Sequence, residues 1–184
     1  MNNDVKKVLI TEEEIQKRVK ELAKQISEDY KGKHLLMLCI LKGAIMFYSD
    51  LARNLTIPVS MDFMAVSSYG KSTKSSGEVR ILKDLSIPAE GLDILIVEDI
   101  LDSGNTLNYI TNILRDRKPA SLKICTLLDK PERREQPIEV DYTGFEIPDE
   151  FVIGYGLDFA ELYRNLPYIG VLKERVYTDV QFKD

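Results

Sequence analysis

Three predominantly apolar segments constrain the fold of this chain more than any other feature of its sequence. They span residues 35–40, 93–97 and 122–128. A strand whose sequence is almost continuously apolar is covered on both faces, which is typical of a parallel sheet. Segments with apolar residues at helical spacing separate these runs. Buried strands that alternate with amphipathic helices predict an α/β fold with a mainly parallel central sheet flanked by helices.

Further helices and strands are predicted around these segments. Thr11 and Glu14 have the spacing of a capping box, and the apolar residues that follow predict a helix that ends before Gly32. Two more helices are predicted to end before Pro58 and Pro119, and two more strands are predicted over residues 60–67 and 79–85. The polar segment between these two strands has almost no core-forming residues, which is typical of a functional lid or of a disordered loop.

The composition argues against several classes of protein. With 25 basic and 30 acidic side chains, the 184-residue chain carries a formal net charge of -5, which argues against binding nucleic acid by general attraction to phosphates. No segment approaches the roughly 18 continuous apolar residues of a membrane span. The N-terminus has no basic region followed by an apolar one, so we expect no secretory signal and a cytoplasmic location.

The cysteines and the single histidine limit the available chemistry. Cys39 and Cys125 lie within apolar segments and have no CxxC partner, so we expect two buried, reduced thiols rather than a disulfide or a metal pair. His34 is the only histidine, which argues against His-based zinc clusters and Ser-His-Asp relays.

An acidic cluster follows the second apolar segment. Glu98, Asp99 and Asp102 precede a Ser-Gly-Asn-Thr turn that opens the next helix. Ligands of a parallel sheet bind beyond the carboxyl ends of its strands. Carboxylates there can hold sugar hydroxyls or hydrated Mg²⁺, and the backbone N–H groups of a helix start can bind a phosphate. The alternative is an acidic turn in which Ser103 or Thr106 caps the helix, and spacing alone does not decide between the two.

Residues 97–106 resemble the phosphoribosyl-pyrophosphate-binding motif of type I phosphoribosyltransferases. Other segments are similar to the hypoxanthine-guanine phosphoribosyltransferase family, and above all to its bacterial 6-oxopurine enzymes. They correspond to a pyrophosphate loop, a catalytic lid and a purine pocket, and they span residues 41–43, 68–77, 127–130, 144–152 and 154–158. The resemblance extends over residues 35–172 and implies a type I phosphoribosyltransferase fold. It implies a single domain of residues 1–184, with a core of about residues 35–145 and a small hood from the N-terminal segment and about residues 146–184.

The resemblance also implies a reaction. The expected enzyme of purine salvage transfers 5-phosphoribosyl from 5-phospho-α-D-ribose 1-diphosphate to N9 of hypoxanthine or guanine, giving IMP or GMP and pyrophosphate. The expected cofactor is Mg²⁺, and the expected assembly is a homodimer or homotetramer. The preference among hypoxanthine, guanine and xanthine stays open. Two alternatives are a nucleotide-binding regulator that attaches to RNA or DNA, and a phosphoribosyltransferase for adenine, orotate or uracil.

The resemblance assigns roles to particular residues. Asp102 corresponds to the general acid/base that acts at purine N7. The expected donor-binding residues are Glu98, Asp99, Asp102, Ser103, Gly104, Asn105 and Thr106. The expected pyrophosphate-binding residues are Lys42, Gly43, Ser68, Tyr69 and Arg164. The expected purine-binding residues are Lys130, Phe151, Val152 and Asp158, and the expected metal ligands are Glu98, Asp99 and Asp158.

Several of these residues have a simpler interpretation when each is considered alone. An ammonium group only donates hydrogen bonds, so Lys130 can bind a purine O6 and disfavour adenine, but it could equally be a surface lysine. Phe151 could stack on the base or pack in the core. Lys42 could be an exposed residue of a strand-to-helix turn, and Asp158 and Arg164 could form surface ion pairs.

Overall fold

The protein is an α/β structure with two sheets. The structure is a computed structural model that describes residues 2–68 and 79–178. The helices are α1 (Glu12–Asp29), α2 (Ile45–Asn54), α3 (Asn105–Asp116) and α4 (Glu174–Thr178). The strands are β1 (Val5–Ile10), β2 (Leu35–Leu41), β3 (Val59–Ser68), β4 (Val79–Lys83), β5 (Asp93–Leu101), β6 (Ser121–Asp129), β7 (Tyr142–Glu146), β8 (Val152–Ile153) and β9 (Ile169–Leu172).

The larger sheet has six strands in the order β4-β3-β2-β5-β6-β7. All neighbouring pairs are parallel except β3 with β4, which is antiparallel at one edge. The carboxyl ends of β2, β5 and β6 therefore meet at one edge of the sheet, where ligands bind in folds of this kind. The predicted mainly parallel α/β architecture is confirmed.

The two faces of the larger sheet are covered by different helices. On β2, the residues Leu35, Met37 and Cys39 pack with α1 and α2, while the alternate residues pack with α3. This double coverage explains why β2 is apolar at every position. Burial raises the pKa of the Cys39 thiol to about 12 and also raises the pKa of Cys125, as expected for the two free, buried cysteines.

The smaller sheet is antiparallel and has the order β1-β9-β8. It joins a strand near the N-terminus to two strands that follow the larger sheet in the chain. A separate apolar cluster of Ile153, Tyr163, Leu166 and Leu172 lies beside it. No helix among residues 2–68 and 79–178 is long and apolar enough to cross a membrane.

One strand differs from its predicted extent in a way that affects the site. The sequence predicts that the β5 strand ends at Val97, but β5 continues to Leu101. Parallel pairing with β6 continues as well, with Glu98 opposite Thr126 and Leu101 opposite Asp129. The carboxylates of Glu98 and Asp99 therefore belong to the buried end of a central strand rather than to a turn.

Candidate active site

The acidic pair lies at the carboxyl end of β5. Glu98 and Asp99 are both buried, and each accepts a hydrogen bond from the backbone N–H of the following residue. Burial raises the pKa of Glu98 well above its usual range, and the neighbouring charge of Asp99 raises it further. Burial also raises the pKa of Asp99. Within the described residues, no lysine or arginine lies within ion-pair distance of either carboxylate. No protein cation of these residues therefore forms an ion pair with Glu98 or Asp99.

Two buried carboxylates without a cationic ion-pair partner among the described residues fit a magnesium site. Two adjacent carboxylates supply the hard oxygen ligands that Mg²⁺ prefers, and Mg²⁺ usually completes its shell with water and substrate phosphates. The described residues contain no group of three or more His, Cys, Asp and Glu side chains that could enclose a metal by themselves. Asp158, the third expected ligand, instead lies 2.9 Å from Arg164 and accepts a hydrogen bond from the Glu161 N–H.

The turn after β5 forms a small pocket at the start of α3. Its volume is about 100 Å³, and it is lined by Glu98 and by residues 100–107. Gly104 precedes the first residue of α3 with a φ of 85°, a left-handed conformation that glycine adopts without strain. Gly104 occupies the cap position and has no side chain to cap the helix, so neither Ser103 nor Thr106 is the N-cap residue. The hydroxyl of Ser103 nevertheless accepts a long hydrogen bond (3.4 Å) from the N–H of Asn105. The backbone N–H groups at this helix start are well placed for a phosphate.

The segment between β6 and β7 braces this pocket from outside. Asn105 donates to Glu135 (2.7 Å) and accepts from Gln136 (2.8 Å). The backbone N–H groups of Glu135 and Gln136 both donate to the carbonyl of Ser103. The side chain of Asn105 is therefore held by protein partners, which leaves its backbone as the part that can face a ligand.

A larger cleft of about 410 Å³ adjoins the small pocket. It is lined by Ile100, Asp102, Lys130, Arg133, Asp149, Phe151, Val152, Leu157 and Tyr177. Lys130 is only 7% exposed and donates to the carbonyl of Glu150 at 2.7 Å, so the alternative of a surface lysine is wrong. Phe151 is 42% exposed, so the alternative of core packing is also wrong. Lys130, Phe151 and Val152 meet in this cleft, whereas Asp158 does not line it.

Phe151 is held in place by two other aromatic side chains. Its ring stacks on Tyr177 with centroids 5.2 Å apart, and it lies nearly perpendicular (85°) to the ring of Phe159 with centroids 5.7 Å apart. Tyr177 comes from α4, near the end of the described chain. An aromatic face in a partly apolar cleft favours a flat ligand such as a purine.

The loop after β2 packs closely between two other parts of the site. The peptide bond between Leu41 and Lys42 is cis. A Cβ atom on Gly43 would overlap the carboxylate of Asp99, and a Cβ atom on Gly156 would overlap the carbonyl of Gly43. Gly43 is therefore packed between Asp99 and Gly156. This close packing fixes the backbone of the neighbouring residue, Lys42.

The two cations expected to bind pyrophosphate share one carboxylate. Glu161 lies 3.0 Å from Lys42 and 3.3 Å from Arg164. The hydrogen bond from Lys42, followed by the hydrogen bond from Arg164 and the charge of Lys42, lowers the pKa of Glu161. Arg164 also donates to the carbonyl of Gly156 at 2.8 Å. The structure therefore brings Lys42 and Arg164 together from distant parts of the chain.

Part of the expected lid lies outside the described residues. Ser68 is the last residue of β3, while Tyr69 and the rest of the lid, up to Gly77, are not described.

Sequence reasoning missed Arg133, Asp149 and Tyr177 in the cleft and Glu161 beside Lys42. Residues 131–137 are rich in proline and charge, which is typical of a surface connection, and the only local signal to the contrary is the pair Arg133 and Arg134 close to Lys130.

The fold and the site together define a class of protein. It is an α/β protein whose phosphate-sized pocket and base-sized cleft adjoin at the carboxyl edge of a parallel sheet. The chain belongs to the phosphoribosyltransferase family, because the family described as "Phosphoribosyl transferase domain" matches residues 9–160. This match confirms the resemblance and the predicted type I phosphoribosyltransferase fold.

Individual relatives agree with the family match. The chain is 58% identical to "Hypoxanthine-guanine phosphoribosyltransferase" of Bacillus subtilis over 177 residues, covering 96% of this chain and 98% of the relative. It superimposes with a TM-score of 0.93 on a crystal structure of a hypoxanthine phosphoribosyltransferase from Staphylococcus aureus, with 58% identity and 96% of each chain covered. It is also 52% identical to "Bifunctional protein TilS/HprT" of Listeria innocua, covering 97% of this chain but only 28% of that longer protein.

The buried acidic pair leads to a prediction about stability. We expect Glu98→Gln to raise the free energy of unfolding by about 1 kcal/mol at pH 8 without Mg²⁺, because it removes a charge that is buried and that repels the charge of Asp99. The pKa of Glu98 is higher in the folded protein than its unfolded value of about 4.3. The contribution of Glu98 to stability is therefore fully present below about pH 4.3 and is lost as the pH rises through the folded-state pKa. The gain should therefore shrink towards pH 4.

Urea unfolding at several pH values measures this gain. The matched control is Glu90→Gln, which removes an exposed carboxylate in a turn. A lower free energy of unfolding for Glu98→Gln at pH 8 would show that the two carboxylates do not repel each other in the folded protein.

Proposed function

We propose that this protein is a purine-salvage transferase. It transfers 5-phosphoribosyl from 5-phospho-α-D-ribose 1-diphosphate to N9 of hypoxanthine or guanine, with IMP or GMP and pyrophosphate as products. The names of the Bacillus subtilis and Staphylococcus aureus relatives support the choice of base. In this proposal residues 1–184 form one domain, with a core of about residues 35–145 and a hood from the terminal segments.

One observation carries this proposal. The 100 Å³ pocket at the start of α3 and the 410 Å³ cleft share two lining residues, Ile100 and Asp102. A nucleotide has a phosphate at one end and a base at the other, joined by a sugar. A phosphate-sized pocket next to a base-sized cleft matches that shape, and the shared residue Asp102 lies where the sugar and the base would join.

The donor would be held by the small pocket and the loop after β2. The N–H groups of residues 103–106 would bind the 5′-phosphate, and Lys42, Gly43 and Arg164 would bind the pyrophosphate, together with Ser68 and Tyr69. Glu98 and Asp99 would hold Mg²⁺ and the sugar hydroxyls, and Asp158 would hold a second Mg²⁺. When bound, Mg²⁺ supplies positive charge that stabilises the leaving pyrophosphate.

The base would react in the larger cleft. Phe151 would stack on the purine, the backbone at Val152 would contact its pyrimidine edge, and Lys130 would donate to O6. The purine N9 forms a bond to C1 of the ribose while the bond from C1 to the pyrophosphate oxygen breaks, and the leaving group takes that electron pair. The carboxylate of Asp102 accepts the proton that N7 gives up.

The proposal includes a cellular setting. The two free, buried cysteines support a reducing compartment such as the cytoplasm. The exposed apolar side chains of Met46 and Leu162 support self-association as a homodimer or homotetramer. The net charge of -5 supports small-molecule substrates rather than a nucleic acid.

A direct assay tests the proposed function. Purified protein is given the donor, Mg²⁺ and equal concentrations of hypoxanthine, guanine and xanthine, and the nucleotide products are separated by chromatography. We expect IMP or GMP together with one pyrophosphate per nucleotide. Absence of nucleotide with all three bases, while the donor alone still binds, would refute the assigned reaction.

The contacts of Lys130 lead to a second prediction. Lys130→Met keeps the length of the side chain but removes its donor, so we expect the KM for hypoxanthine to rise about 10- to 100-fold, as for loss of a hydrogen bond to a charged group. Discrimination against adenine should weaken at the same time, because position 130 would no longer donate the hydrogen bond that a 6-oxo group can accept and a 6-amino group cannot. Steady-state kinetics with both bases measure the two effects.

The matched control is Lys20→Met on the exposed face of α1. A Lys130→Met variant with the wild-type preference for hypoxanthine over adenine would remove Lys130 from the explanation of base selectivity.

A further inference from the structure

Four charged side chains of alternating sign line the larger cleft. In order they are Asp102, Arg133, Asp149 and Lys130. The Nε atom of Arg133 lies 3.0 Å from Asp102 Oδ1, and its Nη1 atom lies 3.5 Å from Asp149 Oδ2. Lys130 Nζ lies 3.6 Å from Asp149 Oδ1. The row therefore connects the proposed proton acceptor to the proposed O6 donor.

Arg133 makes the contact that compensates the charge of Asp102. Asp102 Oδ1 is enclosed, and among the described residues no donor reaches it with good hydrogen-bond geometry. The Nε of Arg133 beside it therefore acts through charge rather than through a directed hydrogen bond. An acceptor that is oriented but not saturated by hydrogen bonds can still take a proton from a ligand.

The backbone around Arg133 is fixed with respect to Lys130. Pro131 begins a short 3-10 turn, Pro131–Arg133, directly after Lys130. The N–H of Arg133 donates to the carbonyl of Lys130 at 3.1 Å, and the N–H of Lys130 donates to the carbonyl of Leu101 at 2.9 Å. Arg133 therefore reaches back over Lys130 to the residue that follows β5, and its planar guanidinium contacts two carboxylates at once through Nε and Nη1.

We propose that Arg133 is a positioning residue for the proton acceptor: it orients the Asp102 carboxylate towards N7, while Asp149 holds the guanidinium from its other side. This inference rests on the proposed function. Arg133 does not line the small pocket, so it has no contact with the 5′-phosphate end of the donor. Its effect belongs to the step in which N7 loses its proton, so it acts on kcat rather than on donor binding.

The experiment is a double-mutant cycle with kinetics for both substrates. We expect Arg133→Gln to lower kcat about tenfold, with the KM for the donor within about twofold of wild type. Arg133→Lys keeps the charge but contacts one carboxylate, so it should recover part of kcat. In an Asp102→Asn background, Arg133→Gln should change kcat less than about twofold, because a residue that acts through Asp102 has nothing left to orient.

Two further measurements separate this role from a structural one. The control variant Arg53→Ala removes an exposed arginine of α2 and should match wild type. Unfolding temperatures show whether each variant folds, and Arg133→Lys keeps the test valid if Arg133→Gln does not fold. A tenfold loss from Arg133→Gln that persists in the Asp102→Asn background would overturn the positioning role.

The result also distinguishes this inference from the proposed function. A wild-type protein that forms no nucleotide refutes the function itself. A wild-type protein that forms IMP, with Arg133→Gln at the wild-type kcat, leaves the function intact and overturns only the role of Arg133.

Discussion

We expect Asp102→Asn to lower kcat by about a hundredfold or more, which is the usual effect of losing a general base. Asparagine has nearly the same shape but cannot accept the N7 proton. The KM for the donor should change by less than about threefold, because the backbone N–H groups of residues 103–106, rather than the carboxylate of Asp102, are the groups proposed to bind the 5′-phosphate. Steady-state kinetics with hypoxanthine and the donor measure both quantities.

The control for this prediction is Asp116→Asn, which removes an exposed carboxylate at the end of α3. A kcat for Asp102→Asn within about twofold of wild type would assign the proton transfer to another group. An equally large loss of donor affinity would instead make Asp102 a donor-binding residue.

The second large effect is expected from Gly156→Ala. Gly156 has a φ of 102°, and a Cβ atom there would overlap the carbonyl oxygen of Gly43. Both the backbone conformation and the contact are unfavourable, so we expect a loss of about 2–4 kcal/mol in the free energy of unfolding. Any relaxation must move Gly43 and therefore Lys42, so the KM for the donor should rise as well. Urea unfolding and kinetics test the two consequences.

Gly32→Ala separates the two causes of this effect. Gly32 also has a positive φ, of 78°, but a Cβ atom there would meet nothing within 4 Å. We therefore expect Gly32→Ala to lose about 1 kcal/mol from strain alone and to leave the KM for the donor unchanged. Equal losses for the two variants would show that the packing of Gly156 on Gly43 adds nothing to stability.

The core of the fold could be predicted because buried strands and helix faces have recognisable patterns of apolar residues in the local sequence. β2 is apolar at every position because helices cover both of its faces, and the Thr11 capping box marks the start of α1 as predicted. The end of β5 could not be predicted in this way. Glu98 and Asp99 interrupt the apolar run, yet pairing with β6 continues past them, and that pairing joins residues 28 positions apart.

The burial of individual site residues could not be deduced from their residue types. Hydrophobicity alone would expose Lys130 and bury Phe151, and the structure has the reverse. Only the resemblance, which considers the whole motif, assigned both side chains to a purine site. Arg133, Asp149 and Glu161 were missed because they lie in charged connecting segments, where a residue that faces a cleft has the same local sequence as one that faces solvent.

The pairing of β5 with β6 has a consequence for how base preference can change. Leu101 and Asp129 are register partners, so Asp102 and Lys130 are the first residues after two adjacent strands. The N–H of Lys130 donates to the carbonyl of Leu101. Neighbouring strands lie about 4.8 Å apart. The spacing of the Asp102 and Lys130 backbones, which carry the proposed proton acceptor and the proposed O6 donor, is therefore set by the backbone ladder. We therefore expect a substitution at position 130 to leave the backbone position of Asp102 unchanged, so that base preference can be altered without moving the proposed proton acceptor's backbone.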